Sequence, residues 1–325
     1  MCVLVLTAAC TGPQQPPEPV MSAEARSYLT AVLDLMEKNS LHRRTIDWAE
    51  VRRDAFSQAG GARTTADTYG AIHGAVLALG DRHSRFVEPV QAADITTPGK
   101  AIATPEGRSL DDRVGYLSLP ALRGPDEAYQ RYVRAGRAAV AKAGGPRACG
   151  WVVDLRENTG GASWPMLAVV GPVLGDGTVG MFIDADGRRI PWTIERGGPR
   201  SGGHDFGWGD APSAGDGRAP VAVLTDRATA SAGEAVAVAF RGRPDTRSFG
   251  ERTMGVPTGN VTYPLSDKAL LVLTQVRSAD RTGRAYDGPI APDEEFVIPQ
   301  DGQPDGEDRA LEAARSWLLD RPACR

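Results

Sequence analysis

The sequence predicts an α/β protein whose layered core follows a small helical domain. Amphipathic helical patterns fill the region up to residue 88, and strand-like and helical segments then alternate to the C-terminus. Such alternation is typical of a sheet covered by helices. The segments "CGWVVDLR" and "APVAVLTD" hold continuous apolar runs, as strands buried on both faces do. We therefore divide the chain into a leader and Pro-rich linker (1–20), an N-terminal helical domain (21–88) and an α/β core with a closing C-terminal helix (105–325).

Three segments predict the helices of the N-terminal domain. In "SAEARSYLTAVLDLMEKNS", apolar residues recur at helical spacing after a Ser22 cap. The "DWAE" segment has the capping-box spacing, in which the first side chain and the acid three residues later satisfy free helix amides. The third helix, in "TADTYGAIHGAVLALG", is expected to begin after Thr65 and to end at Gly80, a favourable residue for the position after a helix.

The core elements follow in alternating order. A D-G turn in the middle of one segment predicts a hairpin, and short strands are expected as far as about residue 298. The closing helix lies in "EDRALEAARSWLLDRPACR". The other elements are strand "RVGYLSLPAL", helix "DEAYQRYVRAGRAAVAKAGG", strand "CGWVVDLR", helix "SWPMLAVVGPVLG", hairpin "TVGMFIDADGRRIPWTIERGG", strand "APVAVLTD" and a helix that begins at Ser231.

Composition excludes several classes of function. The chain has 325 residues, of which 41% are hydrophobic and 24% charged, as in ordinary soluble domains. The net charge of −4 gives no basic patch of the kind that binds nucleic acid. No internal segment approaches the ~18 consecutive apolar residues of a membrane span.

The N-terminus is different from the rest of the chain. In "MCVLVLTAACTGPQQPPEPV", an apolar run and small residues precede Cys10, and a Pro-rich tract follows. This order resembles a lipoprotein signal that is cleaved before a lipid-bearing cysteine, although no Lys or Arg precedes the apolar run. We expect an exported protein, anchored through Cys10 at the outer face of the cell membrane. A disordered leader on a cytosolic protein is the alternative.

Removal of a leader would leave Cys149 and Cys324 as an even pair in addition to Cys10. In an exported chain such a pair predicts a disulfide, and two unrelated buried thiols are the alternative. No cysteine or histidine spacing suits a metal site, so we expect neither a metal nor another cofactor.

Ser231 lies between a predicted buried strand and a predicted helix. In "TDRATASAGEAVAVAF", Ser231 and Glu234 have capping-box spacing. A serine at a helix N-terminus is also placed where amides and the helix dipole favour negative charge, which suits a nucleophile. We expect Ser231 to perform both roles.

Two further segments carry possible catalytic groups. Gly160 and Gly161 follow the strand in "CGWVVDLRENTGGASWP", where glycine allows the backbone to approach a ligand and its amides to form an oxyanion hole. His83 in "LGDRHSRF" follows a predicted helix in a polar loop. Each segment alone also fits a purely structural interpretation, as a tight turn or a solvated loop histidine.

Together these segments resemble a known family, the tail-specific (carboxyl-terminal processing) serine proteases. The resemblance rests on "LGDRHSRF", "GYLSLPAL", "VVDLRENTGG", "VAVLTDRATASAGE", "GERTMG" and "GPIAPD", and covers roughly residues 25 to 300. It implies a crotonase- or ClpP-like α/β core and Ser231 as nucleophile. The implied oxyanion hole is shared by Ala232 N–H and the Gly160–Gly161 turn.

The departures from the family pattern favour one branch of it. Bacterial members use a lysine base in a "GExTxGKG" segment, where this chain has Val256. Too few residues lie between the helical domain and the core for the PDZ domain of those members. The resemblance is therefore to the branch of the tricorn protease and interphotoreceptor retinoid-binding protein, in which His83 occupies the position of the base. In the tricorn pattern a serine precedes the histidine, whereas here Arg82 does and Ser84 follows.

The sequence thus predicts a serine peptidase in which His83 takes the proton of Ser231. Asp287 is the candidate for the acid that orients the imidazole. Such a partner raises the histidine pKa, so we expect an acid limb of kcat/KM at pH ~6–7. The predicted substrates are exported or cell-envelope polypeptides. The alternatives are an inactive scaffold that binds a hydrophobic ligand or peptide, and an enzyme that acts on esters.

Overall fold

The fold is taken from a computed structural model, which describes residues 20–96, 103–111, 113–211, 214, 217–297 and 308–325. The predicted lipid-bearing Cys10 lies outside the described residues. Among the described residues, no helix has both the length and the apolar character needed to cross a bilayer. The helices are α1 (Ala23–Asn39), α2 (Trp48–Gln58), α3 (Tyr69–Ala78), α4 (Pro89–Thr96), α5 (Asp126–Lys142), α6 (Ser163–Leu174), α7 (Ala232–Phe240) and α8 (Arg309–Leu319).

The strands form two sheets. In the first sheet the spatial order is β13-β10-β9-β4-β3-β2, and in the second it is β1-β12-β5-β6-β7-β8, with β11 also paired to β12. The strands are β1 (Arg85–Val87), β2 (Glu106–Leu110), β3 (Val114–Ser118), β4 (Gly150–Asp154), β5 (Gly177–Asp184), β6 (Arg189–Glu195), β7 (Gly198–Ser201), β8 (His204–Asp205), β9 (Val221–Thr225), β10 (Thr246–Gly250), β11 (Thr258–Pro264), β12 (Leu270–Asp280) and β13 (Glu294–Glu295).

The first sheet is covered on both faces, which explains its continuous apolar strands. Its strands β3, β4, β9 and β10 are parallel neighbours. Because side chains alternate along a strand, Trp151 and Val153 of β4 pack toward α5, α6 and α7. Val152 packs on the other side, with Ala314 and Leu318 of α8. The predicted layered α/β architecture is thereby confirmed.

Parallel strands also determine where the loops of interest meet. The carboxyl ends of neighbouring parallel strands lie at one edge of a sheet, and ligands bind in the crevice there. The segments that follow β4, β9 and β10 therefore emerge side by side. They carry Gly160 and Gly161, Ser231, and Val256 respectively.

The N-terminal helices do not enclose their core alone. Leu29 and Leu33 of α1 and Ile72 of α3 are buried together with Leu271 and Leu273 of β12. The second sheet therefore completes the hydrophobic core of the N-terminal helices, and it fixes them relative to strands that are distant in sequence.

A disulfide joins Cys149 and Cys324, with 5.0 Å between their Cα atoms. Cys149 directly precedes β4, and Cys324 ends a short 3-10 turn after α8. The bridge therefore connects the C-terminal segment to the amino end of a central strand.

Candidate active site

Ser231 occupies a strained backbone position at the start of α7. Its φ of 50° and ψ of −110° lie in a region that non-glycine residues rarely adopt. Every residue of α7 is buried, so the helix is held rigidly behind the serine. Strain that the surrounding structure maintains is frequent at catalytic positions.

The capping box extends further than the sequence indicates. Ser231 and Glu234 form it, with Ser231 N–H donating to Glu234 Oε2 at 2.9 Å. The buried Glu234 carboxylate also accepts from Thr253 Oγ1 at 2.5 Å and from the amides of Gly255 and Val256, both at 2.9 Å. Burial raises the pKa of Glu234, against the lowering effect of these hydrogen bonds. One side chain thus joins the serine loop to the segment after β10.

The glycine turn lies directly against Ser231. Gly160 and Gly161 have φ values of 88° and 118°, which favour glycine. A Cβ atom on Gly160 would lie 2.8 Å from Ser231 Cβ. Any side chain at this position would therefore collide with the serine.

The two glycine amides differ in their availability. The resemblance implies that the Gly160 amide takes part in the oxyanion hole. In the structure, however, Gly160 N–H donates to Asn158 Oδ1 at 2.9 Å and is not free for an oxyanion. Asn158 also donates to the carbonyl of Leu119, and its own carbonyl accepts from Ala230 N–H. Within the described part of the chain, the amides of Gly161 and Ala232 have no protein acceptor. These two donors remain for an oxyanion hole.

His83 lies in the loop between α3 and β1, and polar contacts fix its backbone. Asp81 Oδ1 accepts the amides of His83 and Ser84 at 2.8 and 2.5 Å. Ser84 Oγ donates to Asp81 Oδ2 and accepts from the amide of Thr274 in β12. Asn260 of β11 donates to the carbonyl of His83. The loop is therefore attached to the β11–β12 hairpin, and Ser84 takes part in the backbone network.

Thr258 contacts the imidazole of His83. Its Oγ1 lies 2.7 Å from His83 Nδ1. If Nδ1–H donates in this contact, Nε2 is unprotonated and available as a base. Burial, followed by repulsion from Arg85, lowers the pKa of His83 to about 4, against the raising effect of Asp81.

The structure does not bring Asp287 to His83. The Asp287 carboxylate is exposed and lies 3.3 Å from Nη1 of Arg277. It lies in the middle of the loop between β12 and β13, whereas the His83 ring contacts Thr258 of β11. The side chain that contacts the imidazole is therefore the Thr258 hydroxyl and not the predicted Asp287.

The catalytic candidates share one cleft of about 680 Å³, which His83, Thr258, Gly161, Ser231 and Ala232 all line. Val256, the residue at the position of the family lysine, lines it too and is 8% exposed. No lysine lines the cleft in the part of the chain that the structure describes. Among the described residues there is also no cluster of three or more His, Cys, Asp or Glu that suits a metal.

The comparisons with known proteins identify the family. The model of peptidase family S41 matches residues 113–296. The chain belongs to peptidase family S41. This confirms the predicted relation to the tail-specific proteases and makes the protein a serine-type peptidase by family. The matched range contains Ser231 and the glycine turn, whereas His83 precedes it.

Individual relatives extend over most of the chain. The nisin-resistance protein of Lactococcus lactis subsp. lactis is 29% identical over 281 residues, which are 86% of this chain and 83% of that protein. A lipoprotein from Streptococcus agalactiae has a similar fold, with a TM-score of 0.71 and 22% identity over 95% of this chain and 99% of that one. The photosystem II D1 C-terminal processing protease also has a similar fold, with a TM-score of 0.63 and 17% identity over 89% of this chain and 99% of that one.

The sequence analysis missed two contributors to the site. Thr258 is separated from His83 by 175 residues, and no local pattern connects them. Asn158 belongs to the "DLRENTGG" segment, yet its role depends on the backbone path around it. Glu234 was predicted as the capping partner of Ser231, but its hydrogen bonds with the segment after β10 were not.

Proposed function

We propose that the protein hydrolyses peptide bonds with Ser231 as nucleophile and His83 as general base. The observation that carries this proposal is the combination within one cleft of a strained serine, an imidazole held by Thr258 and two amides without an acceptor. The S41 family membership supports the same reaction class.

In the proposed reaction, His83 Nε2 accepts the proton of Ser231 Oγ as the oxygen attacks the substrate carbonyl. The resulting oxyanion accepts hydrogen bonds from the amides of Gly161 and Ala232, which need no reorganisation. The protonated imidazole then gives its proton to the leaving amine, and water hydrolyses the acyl-enzyme by the same route. Throughout these steps, His83 Nδ1–H remains hydrogen-bonded to Thr258 Oγ1.

Two features support a histidine base over the lysine of other members. Val256 offers no proton acceptor, and its own amide donates to Glu234. The lowered pKa of His83 keeps the imidazole neutral at physiological pH, as a base must be. A lysine would need a strongly depressed pKa to serve in this role.

We further propose that the protein is exported and acts on polypeptides of the cell envelope. The similarity to a lipoprotein and to a nisin-resistance protein supports this location, and Cys10 is the proposed site of lipid attachment. Replacement of Cys10 by serine should move the protein from the membrane fraction to the soluble fraction of its host. Equal membrane retention of both forms would contradict the anchor.

A fluorophosphonate probe tests the proposed nucleophile, because such probes label only activated serines. We expect stoichiometric labelling of the wild type at Ser231 and none of Ser231→Ala. Ser163→Ala is a suitable control, since Ser163 lines the same cleft and should leave labelling intact. An unlabelled wild type would instead favour an inactive binding scaffold, and a labelled enzyme that cleaves esters but no peptide would favour an esterase.

A second candidate function is protection of the host against an antimicrobial peptide. It is favoured by one observation, the similarity to a nisin-resistance protein along most of both chains. A sensitive strain that expresses this protein should then survive higher nisin concentrations than the same strain expressing Ser231→Ala. Equal sensitivity of the two strains would exclude nisin as a substrate, without affecting the proposed peptidase activity.

A further inference from the structure

One wall of the cleft is positively charged. Arg82, Arg85 and Arg123 line it beside His83 and Ser231. No Asp or Glu side chain lines the cleft among the described residues. The cleft therefore has a cationic wall whose charge is not balanced from within.

The hydrogen-bond partners of these arginines are neutral. Arg82 donates to the carbonyls of Met254 and Gly255 at 3.2 and 3.3 Å. Arg123 donates to Thr159, at 2.7 Å to its carbonyl and at 3.2 Å to its hydroxyl. In the described part of the chain the guanidinium of Arg85 has no hydrogen-bond or ion-pair partner. None of the three guanidinium groups is neutralised by a carboxylate.

Arg85 and Arg123 are close enough for their positive charges to repel each other. Burial lowers the pKa of Arg85, and the charge of Arg123 lowers it further. Arg156 differs from them, because Asp154 and Asp308 neutralise its guanidinium. Two mutually repelling cations without an acid are stabilised when an anion binds between them.

The anion that a guanidinium recognises best in a peptide substrate is a carboxylate, which accepts two parallel N–H bonds from one arginine. We propose that Arg85 and Arg123 bind a carboxylate of the substrate close to the scissile bond, so that the enzyme prefers acidic peptides. The carboxylate that we propose is the side chain of an Asp or Glu residue. This inference rests on the proposed peptidase function and specifies its substrate class.

The rest of the cleft defines what accompanies the carboxylate. Trp164, Phe182 and Val276 line the same cavity, and so do Met254 and Val261, which are 47% and 42% exposed. Apolar side chains exposed in a cleft favour an apolar ligand group. We therefore expect the acidic residue to lie near an apolar one in the cleaved peptides.

The test begins with digestion of a mixed peptide library by the wild type and identification of the cleaved sites by mass spectrometry. The best cleaved peptide is then made in four forms, which combine Glu or Gln near the scissile bond with a free or amidated C-terminus. We expect kcat/KM at pH ~7.5 to fall about 10- to 100-fold when Glu is replaced by Gln, whether the C-terminus is free or amidated. A loss that occurs only on amidation would place the recognition at the substrate C-terminus and overturn the proposal.

Variants connect the preference to the two arginines. Arg85→Gln should lose most of the preference, measured as the ratio of kcat/KM for the acidic and the neutral peptide. Arg123→Gln should lose the preference and also slow the neutral peptide, because Arg123 donates to Thr159 beside the glycine turn. Arg188→Gln, an exposed arginine paired with Asp184 outside the cleft, is the control and should change neither value.

The outcomes separate this inference from the proposed function. Cleavage by the wild type without any acidic preference, or full retention of that preference in Arg85→Gln, would overturn the inference alone. If no peptide is cleaved at all, binding of the four peptides to the wild type by fluorescence anisotropy replaces the rates. Equal affinity for the acidic and neutral forms would then overturn it as well.

Discussion

The two halves of the candidate site are built in different ways. The nucleophile half consists of Ser231, Ala232 and Gly161, on segments that follow the adjacent parallel strands β4 and β9. The base half consists of His83, on a loop after the N-terminal helices, and Thr258, on a strand of the second sheet. The cleft lies where the two halves meet.

This difference explains why local sequence patterns indicate the geometry of the nucleophile half but not that of the base half. In the nucleophile half, strand ends, glycines and a capping box occur in short contiguous segments, so each local pattern already specifies its geometry. In the base half, the orientation of the imidazole depends on a long-range contact made when β11 pairs with β12. A histidine in a polar loop carries no local sign of that contact.

The largest expected effects come from removing the central group of either half. His83→Ala and Ser231→Ala should each lower kcat by several orders of magnitude, since residues that act as a unit have similar and non-additive effects. The double variant should be no worse than the more impaired single variant. The alanine at position 231 also removes a capping residue, at a cost of ~1 kcal/mol of stability, which is too little to unfold the domain.

Turnover by His83→Ala close to the wild-type rate would remove the base half from the mechanism. Circular dichroism and thermal unfolding of each variant provide the control, because a misfolded protein would lose activity for an unrelated reason.

The next largest effect concerns the Thr258 hydroxyl, which contacts the imidazole in the base half. Thr258→Val has a similar shape and lacks the hydroxyl that contacts Nδ1, so we expect kcat to fall about 10- to 100-fold, less than the loss of the base itself. Thr258→Ser restores the hydroxyl and should recover most of the activity. Asp287→Asn is the matched control and should have no effect. A loss in Asp287→Asn with none in Thr258→Val would return the orienting role to the acid.

The pH dependence of kcat/KM measures the pKa of His83 in the same half. The imidazole must be neutral to accept the serine proton, and burial and Arg85 lower its pKa to about 4. As pH falls, kcat/KM should therefore remain constant through pH ~6.5, the usual histidine value, and decline only near pH 4. Arg85→Gln removes one lowering charge and should move the acid limb upward. A wild-type limb at pH ~6–7 would match the original expectation of an acidic partner and contradict the environment described for His83.

The candidate site also shows where reasoning from sequence reaches its limit. Ser231 and Ala232 lie beside the glycine turn because neighbouring parallel strands bring their loops together. The sequence could not show that Gly160 N–H donates to the Asn158 side chain, because the direction of that side chain depends on the turn itself. Likewise, the helical patterns of residues 21 to 80 predicted α1, α2 and α3, yet could not show that Leu271 and Leu273 of β12 complete their core.

The smallest expected effect on activity concerns the disulfide, which lies away from both halves. Cys149 directly precedes β4 and the glycine turn follows that strand, so about 17 Å of strand separates the bridge from the cleft. Cys149→Ser and Cys324→Ser should leave kcat/KM unchanged. The loop closed by the bridge spans 175 residues, and loss of the disulfide should lower the free energy of unfolding by about 2–4 kcal/mol.

Urea unfolding of the oxidised wild type, the reduced wild type and the double serine variant measures this difference. The reduced wild type and the double variant should agree, because both lack the same constraint on the unfolded chain. If kcat/KM falls in parallel with stability, the C-terminal segment influences the cleft through β4, and the two halves are less independent of the rest of the core than their construction implies.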